Sequence, residues 1–276
     1  MTTIEKLYPA IRGHRITTDS RQIIRGDIFI ALKGENFDGN RYAAAALEQG
    51  AALAIIDNAD YLSPGCELVA DSLLFLQQLA HYHRQQLHIP ILGITGTNGK
   101  TTTKELCHAV LSKKFKTFAT QGNFNNHIGV PLSILKAEPD DEMAVWEMGM
   151  NHPGELAPLC GMARPHIGII TSIGTSHIEY MGSRDNIARE KCTVAECLPE
   201  NGHMIFPADC DYADMIRQST RAACIDCGID SGTVRAENLV STEDGTRFTL
   251  IIPDFCRETV ELPVHGRHMV CNALLA

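Results

Sequence analysis

Gly93-Ile94-Thr95-Gly96-Thr97-Asn98-Gly99-Lys100-Thr101-Thr102-Thr103 is the stretch on which the fold turns. It continues the buried-strand pattern Ile89-Pro90-Ile91-Leu92-Gly93-Ile94 and opens a helical pattern with Leu106, Ala109 and Val110 on one face. A glycine-rich turn between strand and helix is the setting of a phosphate loop. The glycines let the backbone wrap a triphosphate, and the amide N–H groups and the helix N-terminus face its charge. Lys100 is placed to reach the β and γ oxygens, and the Thr101 hydroxyl to ligate Mg²⁺. The usual spacing wants glycine at 94, where Ile94 stands, so the compact Gly96-x-x-Gly99-Lys100-Thr101 is a variant loop.

Outward from this loop, strand and helix patterns alternate. Strands are expected near 89–94, 116–119, 143–147, 166–171 and 203–206, with helices near 101–113, 127–136, 153–162, 183–198 and 211–219. That alternation predicts a mostly parallel sheet covered on both faces. Beyond Ile225 the texture becomes Thr- and Val-rich, with Asp244-Gly245 as a hairpin turn, so a β-rich appendage is expected there. Residues 1–88 read as a separate small α/β domain, with apolar runs at 26–32 and 51–56 and helices over 42–49 and 72–86; residues 89–276 form the central domain. The stretch His268 to Ala276 reads as the first turns of an apolar helix without a stop signal, as if cut in mid-element with apolar surface left exposed.

Composition narrows the function. The chain has 276 residues, and 24 basic against 33 acidic side chains give a net charge of −9, which offers no broad cationic face for nucleic acid. No apolar run approaches the ~20 residues of a spanning helix, and residues 1–10 lack a signal-peptide layout, so a cytoplasmic protein away from the membrane is expected. The 10 cysteines are scattered, and reduced thiols are expected. Cys224 and Cys227 form a lone CxxC, read as buried thiols rather than a metal or redox pair, and His81 and His83 read as surface or capping residues.

Three further residues collect around the loop. Glu147 ends the strand from Met143, and open α/β sheets bind ligands beyond the carboxyl ends of their strands, so Glu147 is placed to hold a metal opposite Thr101. His177, just past the strand Ile167 to Ile173, is aimed at the same crevice by the same geometry, although a lone histidine is as readily structural. Lys191 lies four after Ile187 and three before Val194 on the helix from Ser183, which turns it inward. Either its stem snorkels to water, or it is a lysine of depressed pKa, partly neutral and able to react.

Together these residues resemble the Mur ligases, the ATP-dependent amide-forming enzymes of peptidoglycan synthesis. The loop from Thr95 to Thr102 carries the family likeness. The stretches Gly122 to Leu132 (GNFNNHIGVPL), Glu147 to Glu155 (EMGMNHPGE) and Gly174 to Glu179 (GTSHIE), with Thr18-Asp19-Ser20-Arg21 and Gly26 to Gly39, are similar to the MurF type, the branch that adds D-alanyl-D-alanine to UDP-N-acetylmuramoyl-tripeptide. The resemblance runs from about Thr17 to the last residue.

The resemblance implies a set of roles. Gly96, Thr97, Asn98, Gly99, Lys100, Thr101 and Thr102 bind the ATP phosphates, and His268 and Asn272 match the adenine-side His-x-x-x-Asn. Thr101 and Glu147 ligate one Mg²⁺, His177 helps hold a second, and Lys191 matches a lysine carried as a carbamate that serves as a metal ligand. Asn125 and Asn126 line the crevice, and Asp19, Ser20 and Arg21 meet the uridine nucleotide. The implied reaction passes through an acyl phosphate in a monomeric enzyme. Two departures stand out, Cys192-Thr193 where the family has Gly-Glu and Met269 where it has Asn; the resemblance also implies a third, carboxyl-terminal domain, so the chain as given is expected to be truncated and incomplete for catalysis. A ligase for another amino acid and a non-catalytic nucleotide-binding fragment are the competing readings.

Overall fold

Both faces of the run Ile28–Ile30 are covered, as a parallel strand between helix layers requires. Ile28 and Ile30 pack with Ile55, Leu76 and Leu79, while Phe29 packs on the other side with Ala43, Ala46 and Ile56. In the computed structural model, which describes residues 3–276, this run is the second strand of a four-stranded parallel sheet in the order Ile16–Thr17, Ile28–Ile30, Leu53–Ile56, Cys66–Leu68. Helices Ile4–Ile11, Ala43–Glu48 and Ser72–Gln86 complete this first unit, which extends to Leu87 and also takes in His127–Glu138.

That last segment reads in sequence as a crossover helix of the central domain. Its helix, Gly129–Ile134, packs with the first unit, because Ile128, Leu132 and Leu135 recur at helical spacing and meet the cluster of Leu7, Tyr8 and Leu76. His83 corrects a second expectation. It is buried, 2.7 Å from the Tyr8 hydroxyl and 2.9 Å from the Ala137 carbonyl, so it ties two helices and the 127–138 segment together instead of lying at the surface.

The second unit, His88–Asn126 with Pro139–Ala276, is built on a nine-stranded sheet. Its order is Thr117–Ala119, Met143–Glu147, Ile91–Thr95, Ile167–Ile170, His203–Pro207, Ala223–Ile229, Val234–Ser241, Thr246–Ile252, Cys256–Leu262. Pairing is parallel as far as Val234–Ser241 and antiparallel beyond it, so the β-rich region continues the main sheet. The expected hairpin turn ends in Gly245, where a Cβ would stand 2.1 Å from the Leu262 carbonyl. Only residues 230–233 join the parallel pair Ala223–Ile229 and Val234–Ser241, far fewer than a crossover helix needs. Asp230 and Gly232 take positive φ there, and Asp226 receives the Thr233 amide and hydroxyl.

Cys224 and Cys227 lie on one strand three apart and so project to opposite faces, with Cys227 in the core. The final helix, Arg267–Leu275, buries Val270, Leu274 and Leu275 in the same core, so its apolar side is covered, in contrast to the exposed stub expected from sequence. Helix Lys100–Leu111 also departs from expectation. It turns Thr103, Lys104 and Cys107 to the interior and leaves Val110 exposed, because the face that meets the sheet is carried partly by polar residues. Among the described residues no helix is long and apolar enough to cross a membrane.

Candidate active site

Strand Ile91–Thr95 sits between Met143–Glu147 and Ile167–Ile170, and the chain reaches those neighbours in opposite directions along the sheet. This is the switch point at which an open parallel sheet leaves a crevice beyond its strand ends. Each of the three strands delivers part of the site there: the phosphate loop, Glu147, and the 171–177 segment.

The loop is held from one side by that segment. Thr97 N–H donates to the Ser172 carbonyl (2.9 Å), Gly174 N–H to Thr97 Oγ1 (2.9 Å), and the Thr171 hydroxyl to the Asn98 carbonyl (2.6 Å). Gly96, at φ +152°, lies so close that a Cβ would meet Thr171 Oγ1 at 1.9 Å; Gly99, at φ +83°, would meet Asn272 Oδ1 at 2.6 Å. Gly96 therefore has no room for a side chain, and at Gly99 the positive φ strains any other residue although Asn272 can shift. Gly96→Ala is expected to cost about 2 kcal/mol or more in stability, read as a lower denaturant midpoint. A midpoint equal to wild type would mean that the loop is not held this tightly.

Lys100 folds back over its own loop, donating to the carbonyls of Gly96 (2.7 Å) and Thr97 (3.0 Å). Burial lowers its pKa, and the Glu147 charge opposes the shift. Glu147 is 1% exposed, and both its oxygens are engaged: Oε2 accepts from the Thr101 hydroxyl (2.9 Å) and Oε1 from Asn125 Nδ2 (2.7 Å). The Thr101–Glu147 pair expected from sequence is thus assembled, and Asn125 joins it. A buried carboxylate sharing a threonine hydroxyl is a hard-oxygen set suited to Mg²⁺.

Lys191 is 3% exposed on helix Arg184–Glu196, so its head does not snorkel out. Burial, then the Lys100 charge, brings its pKa down to about 7, with Glu190 opposing. Glu190 in turn accepts the amides of Gly154 (2.8 Å) and Leu156 (2.9 Å), tying this helix to the loop that follows Glu147. His177 precedes the short helix Ile178–Met181 at φ +63°, a left-handed conformation that is costly for a non-glycine residue and marks the turn that sets its side chain.

Asn272 presses on the loop at Gly99, whereas His268 is exposed at the start of the same helix. Asn126 is exposed as well. Asp19, Ser20 and Arg21 belong to the first unit, where Asp19 caps the turn Ser20–Gln22 and pairs with the Arg21 guanidinium (2.8 and 2.9 Å). Those hydrogen bonds hold the Asp19 pKa down to about 2. Beside the loop helix opens a cavity of about 410 Å³ lined by Thr101, Thr102, Glu105 and Leu106 on one side and by Leu262, Pro263, Val264 and Met269 on the other. Thr101 and Thr102 are the only lining residues to which the sequence assigns a binding role; Leu106 and Met269 stand out there without one. The apolar lining comes from segments more than 150 residues away, which no local pattern connects.

A phosphate loop at the switch point of a parallel sheet, facing a buried carboxylate that shares the loop's threonine hydroxyl, defines a nucleotide-binding α/β protein. Residues 94–276 match the Mur ligase middle domain and residues 12–94 the Mur ligase family catalytic domain. The chain belongs to the Mur ligase family. It is 38% identical over 269 residues to the UDP-N-acetylmuramoyl-tripeptide–D-alanyl-D-alanine ligase of Bacillus subtilis, covering 95% of this chain and 57% of that protein. The ligase of the same name from Escherichia coli is 35% identical, with 95% and 58% covered. Among solved structures, MurF from Acinetobacter baumannii superposes with a TM-score of 0.90 at 34% identity, covering 99% of this chain and 63% of that one. MurF ligase from Thermotoga maritima in complex with ADP gives 0.87 at 28%, covering 100% and 62%. The chain therefore spans about three fifths of the length of these relatives.

Proposed function

We propose that the chain supplies the ATP-binding and nucleotide-sugar-binding parts of a ligase that joins D-alanyl-D-alanine to UDP-N-acetylmuramoyl-tripeptide in peptidoglycan synthesis. The observation that carries this reading is the Thr101–Glu147–Asn125 cluster facing the phosphate loop, in a chain whose relatives carry that name. Lys100 leaves the Gly96 and Thr97 carbonyls to pair with the β and γ phosphates of ATP, while the loop amides line the phosphate chain. The apolar cavity beside Thr101 takes the adenosine, next to the helix that bears His268 and Asn272. Glu147 and Thr101 would hold one Mg²⁺, and His177 with a carbamate on Lys191 would hold a second; ions bound there would supply positive charge for the transferred phosphoryl group.

The substrate carboxylate takes the γ-phosphoryl group of ATP, releasing ADP, to give an acyl phosphate, which the dipeptide amine then converts to the amide with release of phosphate. Lys100 stabilises the charge of the first step, and closure of the site against water gives the acyl phosphate time to meet the amine. Asp19, Ser20 and Arg21 form the contact with the uridine nucleotide.

Lys100→Ala removes one charge-assisted contact and is expected to weaken ATP binding by about 1.5 to 3 kcal/mol in calorimetry. Unchanged affinity would remove Lys100 from the phosphate site. The overall reading is tested by mass spectrometry of the product formed from ATP, muramoyl-tripeptide and dipeptide, with each omitted in turn. The 276-residue chain is compared there with a version extended to the length of its relatives. Dipeptide-independent turnover, or no amide product from the extended version, would sink it.

A further inference from the structure

Lys104 is among the largest fully buried side chains, at 0% exposure, in the company of Trp146 and Phe29. Removing an ammonium from water costs several kcal/mol unless its donors are matched. Here the ammonium donates to the carbonyls of Thr120 (2.7 Å) and Gly122 (3.2 Å) and forms an ion pair with Glu105 Oε1 (3.0 Å). A methionine would fill the same space without that desolvation cost, so packing alone does not explain the charge.

What the ammonium holds is the segment that holds Glu147. Thr120 Oγ1 accepts the Glu147 amide (3.1 Å), the Asn125 carbonyl accepts the Gly149 amide (2.7 Å), and Asn125 Nδ2 donates to Glu147 Oε1 (2.7 Å). Glu147 Oε2 returns to Thr101 (2.9 Å), one helical turn before Lys104 on the same helix. The contacts close a ring that runs from the loop helix through Lys104 to segment 120–125, then to Glu147 and through Thr101 back to the helix. We propose that Lys104 is a positioning residue that fixes the Glu147–Thr101 oxygen pair for its divalent cation by clamping segment 120–125 to the phosphate-loop helix. The proposal rests on the reading of that pair as a metal site.

Removing the clamp leaves the loop and Lys100 in place but frees the Asn125 arm, so Glu147 loses one of its two tethers. The effect should therefore fall on metal and not on nucleotide alone. Mn²⁺ serves as the probe, followed by electron paramagnetic resonance in the presence of ADP, alongside calorimetry of metal-free ADP. Lys104→Met is expected to weaken Mn²⁺ binding by tenfold or more and metal-free ADP by less than threefold. Asn125→Ala should have a similar effect, and the double variant should be no worse than the weaker single one, because both cut the same ring. Equal losses for metal and metal-free nucleotide, no loss of either, or additive effects in the double variant would overturn the proposal. If Lys104→Met does not fold, wild-type hydrogen exchange decides: Mn²⁺ with ADP should slow the amides of 120–126 severalfold beyond ADP alone, and the absence of such slowing overturns it. Failure of the underlying metal-site reading is distinguishable, because wild type itself would then bind no Mn²⁺ with ADP, or Glu147→Gln would bind it as well as wild type.

Discussion

Lys191→Met is expected to abolish the proposed amide formation in the version extended to the length of the relatives and, in the nucleotide-free chain, to raise stability. The lysine is 3% exposed, and burial with the Lys100 charge lowers its pKa from 10.5 to about 7. Between those two pH values the unfolded chain binds the proton and the folded chain does not, so this group makes stability rise with pH from about 7 to about 10.5. Below the lower value the folded state carries the whole penalty. Methionine has nothing to protonate. Well below pH 7 the variant should therefore gain on the order of 5 kcal/mol in denaturant unfolding, with the difference closing as the pH approaches 10.5. A pH-independent difference, or a variant less stable at pH 7, contradicts a buried lysine of depressed pKa.

The same depression underlies the proposed chemistry. Carbon dioxide adds only to a neutral amine, and at pH 7 roughly half of such a lysine is neutral, against about one in three thousand for an ordinary one. Methionine can form no carbamate, so ligation should fall by about a thousandfold or more, as when a charge-stabilising group is deleted from an active site. Short carboxylic acids should restore part of the rate by supplying an oxygen in the vacated position. Full activity of the variant, or a bare ammonium in a high-resolution map with both metals bound, would refute the assignment.

The parts of this protein that were legible in sequence are those where one physical demand acts alone. A strand buried on both faces must be apolar throughout, so Ile91–Thr95, Met143–Glu147 and Ile167–Ile170 were visible as runs, and the parallel sheet followed. The inward turn of Lys191 was visible because Ile187 and Val194 flank it at helical spacing. Where two demands compete, the pattern misleads. Helix Lys100–Leu111 turns Lys104 inward, where it bonds the neighbouring Thr120 carbonyl, and Thr103 with it, so its most apolar-looking face is not its buried one. His83 is hidden for the same reason, its polarity being satisfied by Tyr8 and Ala137, 75 and 54 residues away in sequence. The seating of Gly129–Ile134 on the first unit depends on a partner surface that no local period encodes.

Glu147→Gln should leave the fold intact and remove the proposed metal-dependent chemistry. Glu147 accepts one hydrogen bond at each oxygen, from Thr101 and from Asn125. With Asn125 Nδ2 donating as it does to the carboxylate, a glutamine presents its carbonyl oxygen there and turns its NH₂ toward Thr101. The Thr101 hydroxyl can reverse and accept, and the two contacts survive as neutral hydrogen bonds at a stability change of about 1 kcal/mol or less. The cost falls on the cation. The carboxylate charge is gone, and one of the two lone pairs of the Thr101 oxygen is now taken by the glutamine N–H, so the substitution removes the anionic donor of the proposed site and weakens its neutral one. The Mg²⁺ concentration needed for half-maximal ATP turnover is expected to rise by about a hundredfold and the turnover at saturation to fall by about a further hundred- to thousandfold, with the unfolding midpoint nearly unchanged. An unaltered Mg²⁺ dependence would mean that Glu147 orients Thr101 and Asn125 without meeting the ion, and the metal would then have to be assigned to other side chains of the crevice.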